Sequence, residues 1–228
     1  MTANASSSDR PRALIFDVDG TLIDTLAPMA QALNGLLTSI GRAPWDLARV
    51  RDQLSLGLDG LLAAALQAGS GPPAHADLGG LQADLLQRYQ ALAPALARCY
   101  PGADALLRQA HQRGCRLAIC SNASGQVLQG LLRHFGWSTL FDSVVHADNS
   151  LALKPSALPL RQALAALGVA PCQAWMIGDS ALDAGCAEAV GCPFIWYSGG
   201  YGAPTPTQAV QARVDDFAAL AVLLNTRH

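Results

Sequence analysis

Two carboxylates, Asp17 and Asp19, stand two positions apart at the end of the apolar run Ala13-Leu14-Ile15-Phe16, within Phe16-Asp17-Val18-Asp19-Gly20-Thr21. Such a pair can supply an attacking oxygen and a transferable proton from one turn, the equipment for displacing a leaving group through a covalent intermediate. Asp is also a common turn and helix-cap residue, and the hexapeptide alone fits that reading too. Three later clusters bear on the choice: Ser121-Asn122, Lys154-Pro155 and Gly178-Asp179-Ser180-Ala181-Leu182-Asp183. Lysine occurs only at Lys154; every other Lys/Arg position is arginine.

The elements that must position these residues follow from periodicity. The first apolar run is too short for a helix, and Gly20 permits an abrupt change of direction after it. A buried parallel strand is therefore predicted over 13–18, with both carboxylates at its carboxyl end. Residues 26–97 read as helical, with helices near 26–40, 46–54, 58–68 and 78–93 and a Gly/Pro-rich loop at 69–80. Beyond Pro101-Gly102 the pattern alternates: helix 103–113, strand 115–120, helix 124–135, strand 143–146, helix 156–167, strand 174–178, helix 180–190 and strand 193–197. Repeated βα units predict an α/β fold, a doubly wound parallel sheet of Rossmann-like form with helices on both faces. The first strand has no crossover of its own. Residues 26–97 are thus expected to be an inserted α-helical cap, between core segments 1–25 and 98–228. All the polar clusters then fall at strand ends, on the edge where open α/β sheets bind ligands.

Composition narrows the classes. The chain has 228 residues, 51% of them hydrophobic, and a formal charge of -2, which suits an ordinary soluble globular protein. It offers no basic footprint for nucleic acid, and its longest strictly apolar run, Phe217 to Leu224, is far short of the ~18 residues of a membrane span. Met1 to Arg12 lack the apolar centre of a secretory signal, so a cytoplasmic location is expected. The six cysteines show no pair at zinc or redox spacing and read as reduced core residues.

With these four motifs in this order and approximate spacing, the chain resembles the haloacid dehalogenase superfamily, within it the phosphoglycolate phosphatase-like branch that carries a helical cap after the first motif. The resemblance spans Ala13 to Leu224. It implies a phosphomonoester hydrolase that needs Mg2+ and works through an aspartyl-phosphate on Asp17. Asp19 would protonate the departing alkoxide and later take a proton from the hydrolytic water. Lys154 would spread the transition-state charge, while Thr21, Ser121 and Asn122 would hold phosphoryl oxygens. The metal set would be Asp17, the backbone carbonyl of Asp19, and Asp179, with Asp183 in the outer shell. A cation is needed on physical grounds: a carboxylate attacking a phosphate dianion meets roughly 8 kcal/mol of repulsion at about 4 Å and an effective dielectric near 20.

Each motif keeps a bland alternative: Ser121-Asn122 and Asp179-Ser180 as helix caps, Lys154 as a solvated charge, Asp183 as a first-turn acid. Among reactions, superfamily members that cleave carbon–halogen bonds lack the second acid, so Asp19 argues against dehalogenation. Members that form a Schiff base use a cap lysine, and 26–97 contains none. A β-phosphoglucomutase-like phosphomutase stays open. A receiver domain is disfavoured by the helical insertion and Asp19, and a non-catalytic descendant by retention of every acid. The expected partner is a small phosphorylated metabolite, with no nucleic acid and no membrane, and the protein is expected to be a monomer or homodimer. The best substrate match is 2-phosphoglycolate, whose carboxylate Arg51 would meet, with Arg42 or Arg49 as substitutes. Ala123 stands where many phosphoglycolate phosphatases have lysine, and Ser156-Ala157 where His-Pro is usual, so a sugar phosphate is a live alternative.

Overall fold

The structure, a computed structural model, describes residues 10–68 and 77–226. Strand β1 (Ala13–Phe16) is buried at all four positions and lies in the middle of the sheet. Leu14 and Phe16 pack into one apolar cluster and Ala13 and Ile15 into a second on the other face. Both faces are therefore dry, and each large side chain of β1 contributes roughly 1.5–3 kcal/mol by burial.

After β1 come β2 (Ile23–Asp24) and a helical block: α1 (Leu26–Ser39), α2 (Leu47–Arg51), α3 (Gly57–Gln67) and α4 (Leu78–Leu96). β3 (Arg98–Cys99) returns antiparallel to β2, so a two-stranded ribbon ties the block's two ends together. The alternating part then runs α5 (Ala103–Gln112), β4 (Arg116–Cys120), α6 (Gly125–His134), β5 (Ser143–Val145) and α7 (Ala157–Leu167). It continues through β6 (Ala174–Gly178), α8 (Ala181–Glu188), β7 (Phe194–Tyr197), β8 (Ala212–Val214) and α9 (Phe217–Thr226). The main sheet has the order β5-β4-β1-β6-β7-β8 and every pairing is parallel. From β1 the chain builds outward on one side through β4 and β5, then on the other through β6 to β8. That reversal opens a crevice at the carboxyl end of β1.

The doubly wound parallel sheet agrees with the sequence expectation, and among the described residues 26–97 contain no strand. Several details differ. The ribbon was not foreseen, because two-residue strands carry no readable alternation. β8 extends the sheet to six strands behind a polar, proline-bearing loop that hid it. α4 starts at Leu78 as the helix near 78–93 predicts, so the expected loop ends before it and not at 80: Asp77 accepts the Gly79 N–H at 3.0 Å, and this cap draws Gly79 and Gly80 into the helix. It also continues through Pro94 to Leu96. Residues 69–76 of that loop lie outside the described residues. α1, α3 and α4 bury Leu33, Leu61 and Leu85 in the same cluster as Leu14 and Phe16, so block and sheet share one apolar interior. No helix among the described residues is long and apolar enough to cross a membrane.

Candidate active site

The ladder of β1 continues one residue past its end, where the Asp17 N–H donates to the Ile177 carbonyl at 2.9 Å. This bond fixes Asp17 at the sheet's edge. The Val18 carbonyl then accepts N–H groups from Thr21, Leu22 and Ile23 at 3.2, 2.9 and 3.0 Å, closing a tight loop that holds Asp19 above the edge. Gly20 makes the loop possible. Its φ is +81°, and a Cβ there would stand 2.5 Å from Asp179 Oδ2 and 2.7 Å from the Tyr201 ring.

β4 delivers Ser121 in the same way, through its N–H to Val145 at 3.0 Å. Ser124, rather than Ser121 or Asn122, caps α6. Asn122 turns its side chain to the loop after β5, donating from Nδ2 to the Lys154 carbonyl at 3.1 Å and accepting the Lys154 N–H at 2.8 Å. This double clasp sets the backbone from which Lys154 reaches inward.

Lys154 is 5% exposed, so it is not a solvated surface charge. Its Nζ lies 2.8 Å from Asp17 Oδ1 and 2.7 Å from Asp183 Oδ1. The other oxygen of Asp183 accepts the Ser180 N–H at 3.1 Å and its hydroxyl at 2.6 Å, within the capping box that starts α8. Asp183 is therefore a first-turn acid and a lysine partner at once. Asp179 accepts from the Thr21 hydroxyl at 3.1 Å and from the Tyr201 N–H at 2.7 Å. Thr21 is fully buried, and its one donor is spent on Asp179 rather than turned to the cavity. Asp19, partly exposed, accepts from the Thr25 hydroxyl at 2.7 Å.

Electrostatics follow from this crowding. Burial pushes Asp17 well above its ordinary range, with Lys154 pulling the other way. Burial also raises Asp19, against the Thr25 hydrogen bond. Burial and then the neighbouring Asp183 push Asp179 up to about 6. For Lys154 burial works against the charge, but Asp17 and Asp183 outweigh it and hold the ammonium well above its usual value.

One carboxylate oxygen from each of Asp17, Asp179 and Asp183 lies within 4.8 Å of the others, all three residues being buried. Lys154 is the one cation buried among the described residues, and it faces more carboxylates than it can neutralise. Hard, buried oxygen donors with surplus negative charge fit a divalent cation of the magnesium type. Asp183 holds the Lys154 ammonium on one oxygen and two Ser180 donors on the other, whereas Asp179 holds a single neutral donor on each oxygen and Asp17 holds Lys154 on one oxygen, so Asp17 and Asp179 are the better-placed ligands, with Asp183 behind them. The carboxylate of Asp19 is outside this group.

Above the acids lies a cavity of about 350 Å³. The sheet side contributes Asp17, Asp19, Ser121 and Lys154; the helical side contributes Arg51, Asp52 and Leu54. Arg51 is exposed and has no hydrogen-bond or ion-pair partner among the described residues. Gly57, with φ +72°, closes the rim: a Cβ there would meet the Asn122 carbonyl at 2.8 Å. The sequence reasoning passed over Thr25 and Tyr201. A Gly199-Gly200-Tyr201-Gly202 run just past a predicted strand end was the available signal for the second.

A family model for haloacid dehalogenase-like hydrolases matches residues 11–191. The chain is 39% identical over 215 residues to a phosphoglycolate phosphatase of Rhodospirillum rubrum, covering 92% of this chain and 89% of that one. CbbY from Rhodobacter sphaeroides, solved with phosphate and, as a mutant, with xylulose-1,5-bisphosphate, superposes with a TM-score of 0.82 at 29% identity, over 92% of this chain and 96% of CbbY. A Haemophilus somnus 129PT structure described as a predicted phosphoglycolate phosphatase shares the fold, with a TM-score of 0.86 at 22% identity over 94% and 98% of the two chains.

Proposed function

The chain belongs to the haloacid dehalogenase-like hydrolases, and from that premise we propose that it is a magnesium-dependent phosphatase of small phosphomonoesters, with 2-phosphoglycolate as substrate. The observation that carries the proposal is the buried Lys154 bridging Asp17 and Asp183 beside Asp179, with Asp19 held apart on Thr25.

Asp17 attacks phosphorus in line. The new Asp17–phosphorus bond forms as the ester oxygen departs, and Asp19 gives that oxygen its proton. Water then attacks the aspartyl-phosphate, yields a proton to Asp19 and frees phosphate as the acyl–phosphate bond breaks. The upward shift of Asp19 helps it carry the first proton. Lys154 balances charge on Asp17 and the phosphoryl group, while Ser121 and the backbone amide of Asn122 face its oxygens. Asp17, Asp179 and the backbone carbonyl of Asp19 would hold magnesium, which would supply Lewis-acid neutralisation of the phosphoryl charge. Residues 26–97 act as a cap on a core of 1–25 and 98–228, and Arg51 meets the substrate carboxylate.

A second reading, a sugar phosphate as substrate, is favoured by one observation. The cavity of about 350 Å³ is roomy for so small an ester as phosphoglycolate. The test for both is phosphate release from a panel with magnesium: phosphoglycolate, sugar monophosphates and bisphosphates, and glucose 1-phosphate to detect mutase activity. Asp17→Asn is expected to abolish turnover; undiminished turnover in that variant sinks the mechanism.

A further inference from the structure

Helix α1 begins in an unusual way. Thr25 occupies its N-cap position, where a threonine hydroxyl ordinarily accepts a backbone N–H from two or three residues ahead. Here the residue three ahead is Pro28, which has no N–H to offer, and Thr25 makes no side-chain cap bond. Its hydroxyl instead donates to Asp19. The buried donors at the start of α1 are met by Asp24, whose Oδ1 accepts the Leu26 N–H at 3.1 Å, and from the far end of the chain. The Tyr201 phenol oxygen accepts the Thr25 N–H at 2.6 Å and the Leu26 N–H at 3.0 Å, and donates to Asp24 Oδ1 at 2.7 Å. The backbone N–H of the same tyrosine donates to Asp179 at 2.7 Å.

We propose that Tyr201 is a positioning residue for Asp19: its phenol caps α1 in place of Thr25, and so leaves the Thr25 hydroxyl committed to the Asp19 carboxylate. The phenol grips the peptide that carries Thr25, so the orientation of Asp19 depends on a residue it does not touch. Tyr201→Phe keeps the ring and the N–H to Asp179, and removes the cap together with the phenol's bond to Asp24. Thr25→Val removes only the link to Asp19.

The inference rests on the proposed acid role of Asp19, and leaving-group dependence isolates it. An alkyl phosphate needs its departing oxygen protonated, whereas p-nitrophenolate leaves without help, so misplacing the acid slows the first far more than the second. For Tyr201→Phe we expect kcat on phosphoglycolate or glycerol 3-phosphate to fall about tenfold or more, the range over which a positioned proton donor acts. On p-nitrophenyl phosphate the fall should be under about threefold, with the magnesium half-saturation measured by calorimetry unchanged. Thr25→Val should show the same contrast, and the double variant should be no worse than the poorer single one, because both cut one chain of contacts. Equal losses on both ester types, or additive effects in the double variant, overturn the inference. A wild-type protein inactive on every ester overturns the proposed function instead.

Discussion

Lys154 reaches the cavity from the sheet and Arg51 from the helical block, and the two cations are held in opposite ways. Lys154 is buried, its ammonium lies between two carboxylates at 2.8 and 2.7 Å, and its backbone is clasped by Asn122. Arg51 ends a five-residue helix, stands exposed beside the exposed Asp52, and has no partner among the described residues. The lysine's geometry is over-determined by the fold, as a group that must stabilise charge without reorganising has to be. The arginine is held by no such partner among the described residues. The proposed chemistry would sit on strand ends, and the proposed selectivity on a short, exposed helix above them.

The contrast breaks most visibly at the lysine. Lys154→Met leaves Asp17 and Asp183 buried without their cation, and removing one partner of a buried pair costs about 3–5 kcal/mol. Activity should fall by at least about a thousandfold, the scale for losing a cationic transition-state stabiliser, and the thermal midpoint should drop clearly. A variant that melts like wild type would show that the carboxylates, not the lysine, organise this corner.

Asp179 tests the same rigidity through pH. Its carboxyl is raised to about 6 from 3.8, so the folded protein binds this proton more tightly than the unfolded chain does. Without metal, this group's contribution to stability is therefore greatest below about 4 and declines as pH rises through about 6. Asp179→Asn mimics the neutral form. In EDTA at pH 7 it should melt a few degrees above wild type, with the advantage fading toward pH 4, while losing activity and magnesium affinity. A metal-free variant that melts lower at pH 7 would mean that the hydrogen bonds from Thr21 and Tyr201 outweigh the buried charge.

The smallest effect belongs to the helical side. Arg51→Ala should leave the thermal midpoint unchanged and lower kcat/KM for phosphoglycolate by about tenfold relative to neutral sugar phosphates, typical of one exposed charged hydrogen bond. Unchanged selectivity removes Arg51 from the substrate's path.

The same division explains what the sequence could reveal. Strands such as Ala13–Phe16 and Ala174–Gly178 are legible because burial on both faces demands continuous apolar runs, and the polar residues just past them announce the edge of the sheet. Asp17 and Asp179 could be gathered in advance because each follows such a signal, whereas Lys154, nine residues past Val145, was gathered through its Lys-Pro motif. The ribbon of Ile23–Asp24 and Arg98–Cys99 was invisible, since its pairing is set by distant chain and not by any local period. Asn122 could be placed at the site but not assigned its clasp on Lys154, and Thr21 was turned toward phosphate when its hydroxyl serves Asp179. Hydrogen-bond direction is a property of packing. Tyr201 lay furthest out of reach, as its three side-chain partners are all more than 170 positions away.

That last separation has a consequence for synthesis. At roughly 5–20 residues per second a ribosome adds Tyr201 about 10–40 s after Asp17. For most of that interval β1 lacks β6, and Asp17 lacks Lys154 and Asp179. The helical block, whose packing partners α1 and α4 are both translated within the first hundred residues, can assemble early and shelter the apolar strand. The cluster of Asp17, Lys154, Asp179 and Asp183 can thus close only late in translation.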